Sequence, residues 1–183
     1  MPAVFNVLAL LGNNAQTSAH RSILEYLGMR SDGSYSLSIS DWPPMLPHFN
    51  PDFGVHDLPI EVGMFREEIE LADAVIFCVP ESAGSMPGMI KNCLEWTLST
   101  SLFSGKPIAL ISTSDAGDEA HTLLLRTLRA MEADVSKEQT LLIAETGMWS
   151  NERDEPVDAQ LVTELEGLTS ALLERIPTLR GQS

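Results

Sequence analysis

The chain repeats one pattern five times: a short apolar run followed by a segment with helical periodicity. Val4–Leu11, Ala74–Val79 and Pro107–Ser112 are rich in leucine and β-branched residues without strict polar alternation, as strands covered on both faces are. Ser34–Ser40, alternating through Tyr35, Leu37 and Ile39, and Gln139–Ala144 are weaker strand candidates. Between them, Ser18–Leu27, Ile60–Leu71, Pro87–Leu98 and Glu119–Met131 carry helical spacing, and Leu161, Leu165, Leu168 and Leu172 form one stripe on a C-terminal helix. Strand–helix alternation with right-handed crossovers gives a parallel sheet with helices on both faces.

That pattern predicts a flavodoxin-like three-layer sandwich of α/β class, with a five-stranded parallel sheet of order 2-1-3-4-5. A chain of 183 residues, 44% of them hydrophobic, fits a single domain over residues 1–183. In such sheets ligands bind beyond the carboxyl ends of the strands, where the strand order reverses. Attention therefore falls on the loops Gly12–Ser18, Pro80–Met86 and Thr113–Asp118. Trp42–Pro51, with four prolines, reads as an extended excursion rather than a helix. Its Trp42, Met45, Leu46 and Phe49 form an apolar patch that predicts a partner subunit. The last residues, 180–183, read as frayed.

Charge narrows the partners. Eleven Lys and Arg stand against 26 Asp and Glu, a net charge of −15, which repels nucleic-acid phosphates and anionic membrane surfaces. The N-terminal apolar run lacks a basic flank and is far shorter than a membrane span, so it reads as the first strand of a cytoplasmic protein. Cys78 and Cys93, the two cysteines, match neither zinc spacing nor a redox CxxC and read as buried free thiols.

The first loop, Gly12-Asn13-Asn14-Ala15-Gln16-Thr17-Ser18, joins a strand to a helix with small polar residues. It can cradle an anion through main-chain N–H groups and the hydroxyls of Thr17 and Ser18, or Thr17 or Ser18 can simply cap the helix. His20 and Arg21 lie within reach of the same anion. In the second loop, Pro80-Glu81-Ser82-Ala83-Gly84-Ser85-Met86-Pro87-Gly88, small residues allow main chain to approach a flat ligand closely. Ser85 is the expected cap of the following helix.

Glu81-Ser-Ala-Gly-Ser-Met-Pro-Gly-Met-Ile-Lys-Asn-Cys-Leu-Glu-Trp96 resembles the hallmark of the NADPH-dependent FMN reductase family, P-E-Y-N-G-S-I-P-G-x-L-K-N-A-L-D-W. Pro80, Glu81, Gly84, Ser85, Pro87, Gly88, Lys91, Asn92, Leu94 and Trp96 match it. Asp41-Trp-Pro-Pro-Met-Leu-Pro, Ala72-Asp73-Ala74 and Gly105-Lys106-Pro107 resemble the family's D-L-P-x-x-P, A-A-D-A and G-K-P segments. The resemblance implies FMN as cofactor and NADPH or NADH as co-substrate. It implies a flavin, quinone or similar small molecule as electron acceptor, and a homodimer or homotetramer.

The same resemblance assigns Asn13, Thr17, Ser18 and His20 to the FMN phosphate. It assigns Pro80, Glu81, Ser82, Ala83, Gly84 and Ser85 to the flavin ring, and Ser114, Asp115 and Gly117 to its far side. Lys91, Asn92 and Trp96 are read as scaffold. No catalytic acid or base and no metal ligand is expected, because the flavin carries the chemistry. Main-chain N–H groups of Thr113–Gly117 are the expected stabilisers of negative charge at flavin N1.

Three departures stand out: Ala15 replaces the family's loop arginine, His20 an asparagine, and Ser82-Ala83 its Tyr-Asn pair. They keep open a flavodoxin-like binding or interaction protein with a weakened or lost FMN site. A serine hydrolase using Ser82 or Ser85 with His20, His48, His56 or His121 lacks a G-x-S-x-G elbow and ranks far below.

Overall fold

A computed structural model describes residues 4–14, 18–53, 57–144 and 159–180. The element order is β1 (Phe5–Leu11), α1 (Ala19–Met29), β2 (Tyr35–Ile39), α2 (Ile60–Leu71), β3 (Ala74–Pro80), α3 (Gly88–Thr97), β4 (Ile108–Thr113), α4 (Glu119–Ala130), β5 (Thr140–Ile143) and α5 (Ala159–Arg180). The five strands form one sheet of order β2-β1-β3-β4-β5, and every neighbouring pair is parallel. This is the flavodoxin-like three-layer arrangement that the alternating pattern predicts.

Alternate residues of the buried strands divide between two cores. Leu8, Leu10, Val75, Phe77, Ile108 and Leu110 face α2, α3 and α4, which contribute Phe65, Ile90 and Leu124. Val7, Ala9, Ile76, Cys78, Ala109 and Ile111 face α1 and α5. The leucine stripe of α5 is buried along its length and continues to Ile176. Truncating a fully buried leucine such as Leu165 to alanine costs roughly 2–5 kcal/mol in comparable cores.

Three features differ from the sequence reading. The proline-rich stretch holds one 3₁₀ turn, Pro43–Met45, which Pro43 at its first position favours. Its side chains also turn inward: Leu46 is buried, and Trp42 and Phe49 pack on the core, leaving Met45 exposed. Finally, Pro87 rather than Ser85 occupies the N-cap of α3, with no side-chain cap. Ser85 instead pairs its main chain with Ser82.

Asn92 and Trp96 are scaffold, as expected, and their task is visible. The Asn92 amide accepts from the Phe49 N–H at 2.8 Å and donates to the Pro47 carbonyl at 3.0 Å. The Trp96 indole donates to the same carbonyl at 2.8 Å, and Phe49 meets its ring edge-on at 5.1 Å. Lys91 pairs with Glu95 at 2.8 Å. Lys106, just before β4 in the chain, caps the C-terminal end of α2, donating to the carbonyls of Ile69 and Ala72. The family-like segments around these residues thus hold the fold.

Candidate functional site

The carboxyl ends of β1, β3 and β4 bring the three loops together on one edge of the sheet. The first loop leaves β1 at Gly12, whose N–H still donates to the Cys78 carbonyl at 2.8 Å. A Cβ built there would lie 2.9 Å from Cα of Val79 and Cδ of Pro80, so only glycine lets this chain pass the end of β3. Ser18 then caps α1, its Oγ accepting the Arg21 N–H at 3.2 Å. No acidic residue occupies the first turn, which leaves the positive end of the helix dipole uncompensated. Thr17, with Ala15 and Gln16, lies outside the described residues.

His20 is buried, at 7% exposure, between the first loop and β4. Its Nδ1 lies 3.2 Å from Asn13 Nδ2 and its Nε2 lies 2.6 Å from Thr113 Oγ1. With the amide nitrogen of Asn13 donating, Nδ1 accepts and Nε2–H donates to Thr113. The imidazole thus braces the loop against the sheet.

The second loop is a two-residue turn. Ser82 and Ser85 exchange main-chain hydrogen bonds at 2.8 and 3.0 Å, and Ala83 and Gly84 between them have φ of 51° and 73°. Both angles are positive, as a type I′ turn requires. Ser82, Ala83 and Gly84 are exposed, Pro80, Glu81 and Ser85 half-buried. Beyond its own chain neighbours, no heavy atom lies within 4 Å of a Cβ built on Gly84, so the space beside the turn is open.

The third loop follows β4. Ser114 N–H donates to the Ile143 carbonyl at 3.0 Å, tying the loop to β5. Its Oγ accepts from the N–H groups of Ala116 and Gly117 at 3.0 and 3.2 Å, so two of the amides expected to face a ligand meet a side chain of their own loop. Asp115 and Gly117 are exposed. Glu81 joins the second and third loops: its carboxylate accepts from the Gly84 N–H at 3.0 Å and, in a short hydrogen bond, from the Ser114 hydroxyl.

Among the described residues, four buried side-chain polar atoms have no hydrogen-bond partner: Asn13 Oδ1, Arg21 Nε, Ser112 Oγ and His121 Nδ1. All four border this edge, at the first loop, the first turn of α1, the end of β4 and the first turn of α4. Buried polar groups are normally paired, and an unpaired guanidinium donor, Arg21 Nε, beside a helix N-terminus suits a phosphate ester. The residues present therefore fit FMN. Sequence reasoning placed Arg21 near the anion without assigning it and missed Ser112; the lack of any basic residue in Gly12–Ser18 was the signal that could have promoted Arg21.

Other chemistry finds little here. Burial pushes the Cys93 thiol up to about 12 and raises Cys78 as well, so neither is a ready nucleophile. Burial also lowers the His121 imidazole, against the opposing pull of Asp118. Among the described residues, no cluster of His, Cys, Asp and Glu could hold a metal, and no helix is long and apolar enough to cross a membrane.

The chain belongs to the NADPH-dependent FMN reductase family, whose sequence model matches residues 5–147. It is 33% identical over 117 residues to a quinone reductase of Pseudomonas putida, a match covering 62% of each chain. It is 34% identical over 111 residues to an NAD(P)H-dependent FMN reductase of Pseudomonas aeruginosa, covering 59% of each. The matched region thus spans about three-fifths of the length of these curated relatives. In three dimensions the chain is similar to the flavoenzyme NAD(P)H:(acceptor) oxidoreductase FerB of Paracoccus denitrificans, with a TM-score of 0.76, 24% identity, and 96% and 98% of the two chains covered. That likeness is one of fold.

Proposed function

We propose that this chain is an FMN-dependent oxidoreductase that passes a hydride from NADH or NADPH through bound FMN to a flavin, quinone or similar small acceptor. The observation that carries the reading is the convergence of three loops at one sheet edge bordered by unpaired buried polar atoms. Family membership and the quinone and FMN reductases among the relatives support it. FMN supplies the hydride chemistry when bound; the protein binds and orients it.

In this reading the N-terminus of α1, with Ser18, Thr17, Asn13 and Arg21, takes the phosphate, while His20 holds Asn13 in place from behind. Pro80 through Ser85 provide main chain along the ring, where the open space beside Gly84 admits a flat group. Ser114, Asp115 and Gly117 bound the far side. One ring face stays accessible for nicotinamide and acceptor in turn, and no protein proton donor is required.

We further read the chain as a single cytoplasmic domain that associates as a homodimer or homotetramer. Exposed Ile60 and Leu71 on α2, with Met45, Phe53 and Met64, support association. Sedimentation showing only monomer at micromolar concentration would overturn that part.

The reductase reading is tested by loading the protein with FMN, desalting it and adding NADH or NADPH without oxygen. The expected result is bleaching of the flavin band, restored by a stoichiometric benzoquinone. Protein that emerges colourless from desalting would contradict it.

A further inference from the structure

Glu81 sits where the second and third loops meet, and its hydrogen bonds form a closed set. Its N–H donates to the Thr113 carbonyl at 2.9 Å, continuing the β3–β4 ladder one residue past the sheet. One carboxylate oxygen takes the Gly84 N–H and the other takes the Ser114 hydroxyl proton. Ser114, its proton committed to an anion, turns its lone pairs to the amides of Ala116 and Gly117. A serine oxygen has two acceptor sites, and both are filled.

We propose that Glu81 is a positioning residue that biases the site toward oxidised FMN: through Ser114 it keeps the Ala116 and Gly117 amides turned from the flavin, and it adds a negative charge of its own beside the ring. The proposal rests on the reading of this edge as the FMN site. Reduction adds electron density, and at neutral pH negative charge, to the ring. Amide donors aimed at that charge would stabilise the reduced form, and a nearby carboxylate opposes it. Glu81 therefore makes bound FMN a stronger reductant, which suits a protein that hands electrons on.

Two substitutions separate this role from a merely structural one. In Glu81→Gln the amide oxygen can still accept the Gly84 N–H, but the amide NH₂ must face Ser114. The Ser114 oxygen then meets three donors with two acceptor sites, so one loop amide is released while the charge is gone. Ser114→Ala releases both amides and leaves the carboxylate.

The test is spectroelectrochemical titration of FMN-loaded wild type, Glu81→Gln and Ser114→Ala against free FMN, with dissociation constants measured for oxidised FMN. For both variants the ratio of oxidised to reduced dissociation constants should rise on the order of tenfold, the effect of one hydrogen bond or charge, which is about 30 mV upward for a two-electron couple. Equal weakening of both forms in both variants, with the potential unmoved, would overturn the proposal while leaving the FMN site intact. Wild type that holds neither form would overturn the FMN reading and this proposal together.

Discussion

Nε2 of His20 on α1 lies 2.6 Å from Oγ1 of Thr113, the last residue of β4. The two residues are separated by 93 positions, and β3 lies between β1 and β4, so the contact reaches across the sheet to lock the first loop onto the third. Thr113→Val keeps the shape and removes the hydroxyl from the imidazole in a buried setting. It should lower unfolding stability by about 1–3 kcal/mol, while Thr113→Ser should lose far less. Urea denaturation with an unchanged m-value checks this; equal stability of wild type and Thr113→Val would show that the brace is idle.

Ala83 holds φ of 51° in the turn beside Gly84. A left-handed conformation is unfavourable for alanine by roughly 1–2 kcal/mol and easier for asparagine, the residue type I′ turns favour before glycine. Ala83→Asn should therefore stabilise the protein by about 0.5–1 kcal/mol, a rise of about 1–4 °C in Tm for a chain of this size. A lower Tm would mean that the turn is not strained at this residue.

Glu68 is an acid held against its preference. Burial raises its carboxyl pKa and Asp41 adds to the rise, while the 2.5 Å hydrogen bond from Ser40 pulls the other way. With the folded value above the ordinary 4.5, the folded chain binds the proton more tightly than the unfolded one. The ionised group then costs stability at neutral pH, and the cost fades as pH falls through the folded value toward the unfolded one. Glu68→Gln should raise Tm at about pH 7.5, with the gain closing near pH 4. Thermal melts across that range decide it; a gain that grows on acidification would contradict the assigned direction.

The fold was legible because its signals are local. Ile60–Leu71 matches its helix residue for residue, and the α5 leucines announced their burial by spacing alone. Contacts between distant segments were not legible. Nothing near Pro47 in sequence says that Asn92 and Trp96 will take its carbonyl, so the apolar residues of the proline-rich stretch read as a surface patch when they pack inward. Glu81 and Ser114, 33 residues apart, read as two independent loop residues. The loops themselves were found because parallel sheets place their sites at the strand ends; which atoms face a ligand there depends on pairings that only the folded chain displays.

The central claim is that the N-terminus of α1 holds the phosphate of FMN, and Ser18 is its cap. Equilibrium titration of wild type and Ser18→Glu with FMN and with riboflavin, which lacks the phosphate, tests it directly. Wild type should prefer FMN strongly, and the added carboxylate should repel the phosphate and erase that preference while riboflavin binding stays nearly unchanged. If Ser18→Glu bound FMN as tightly as wild type does, the phosphate would have to sit elsewhere and the account would fail.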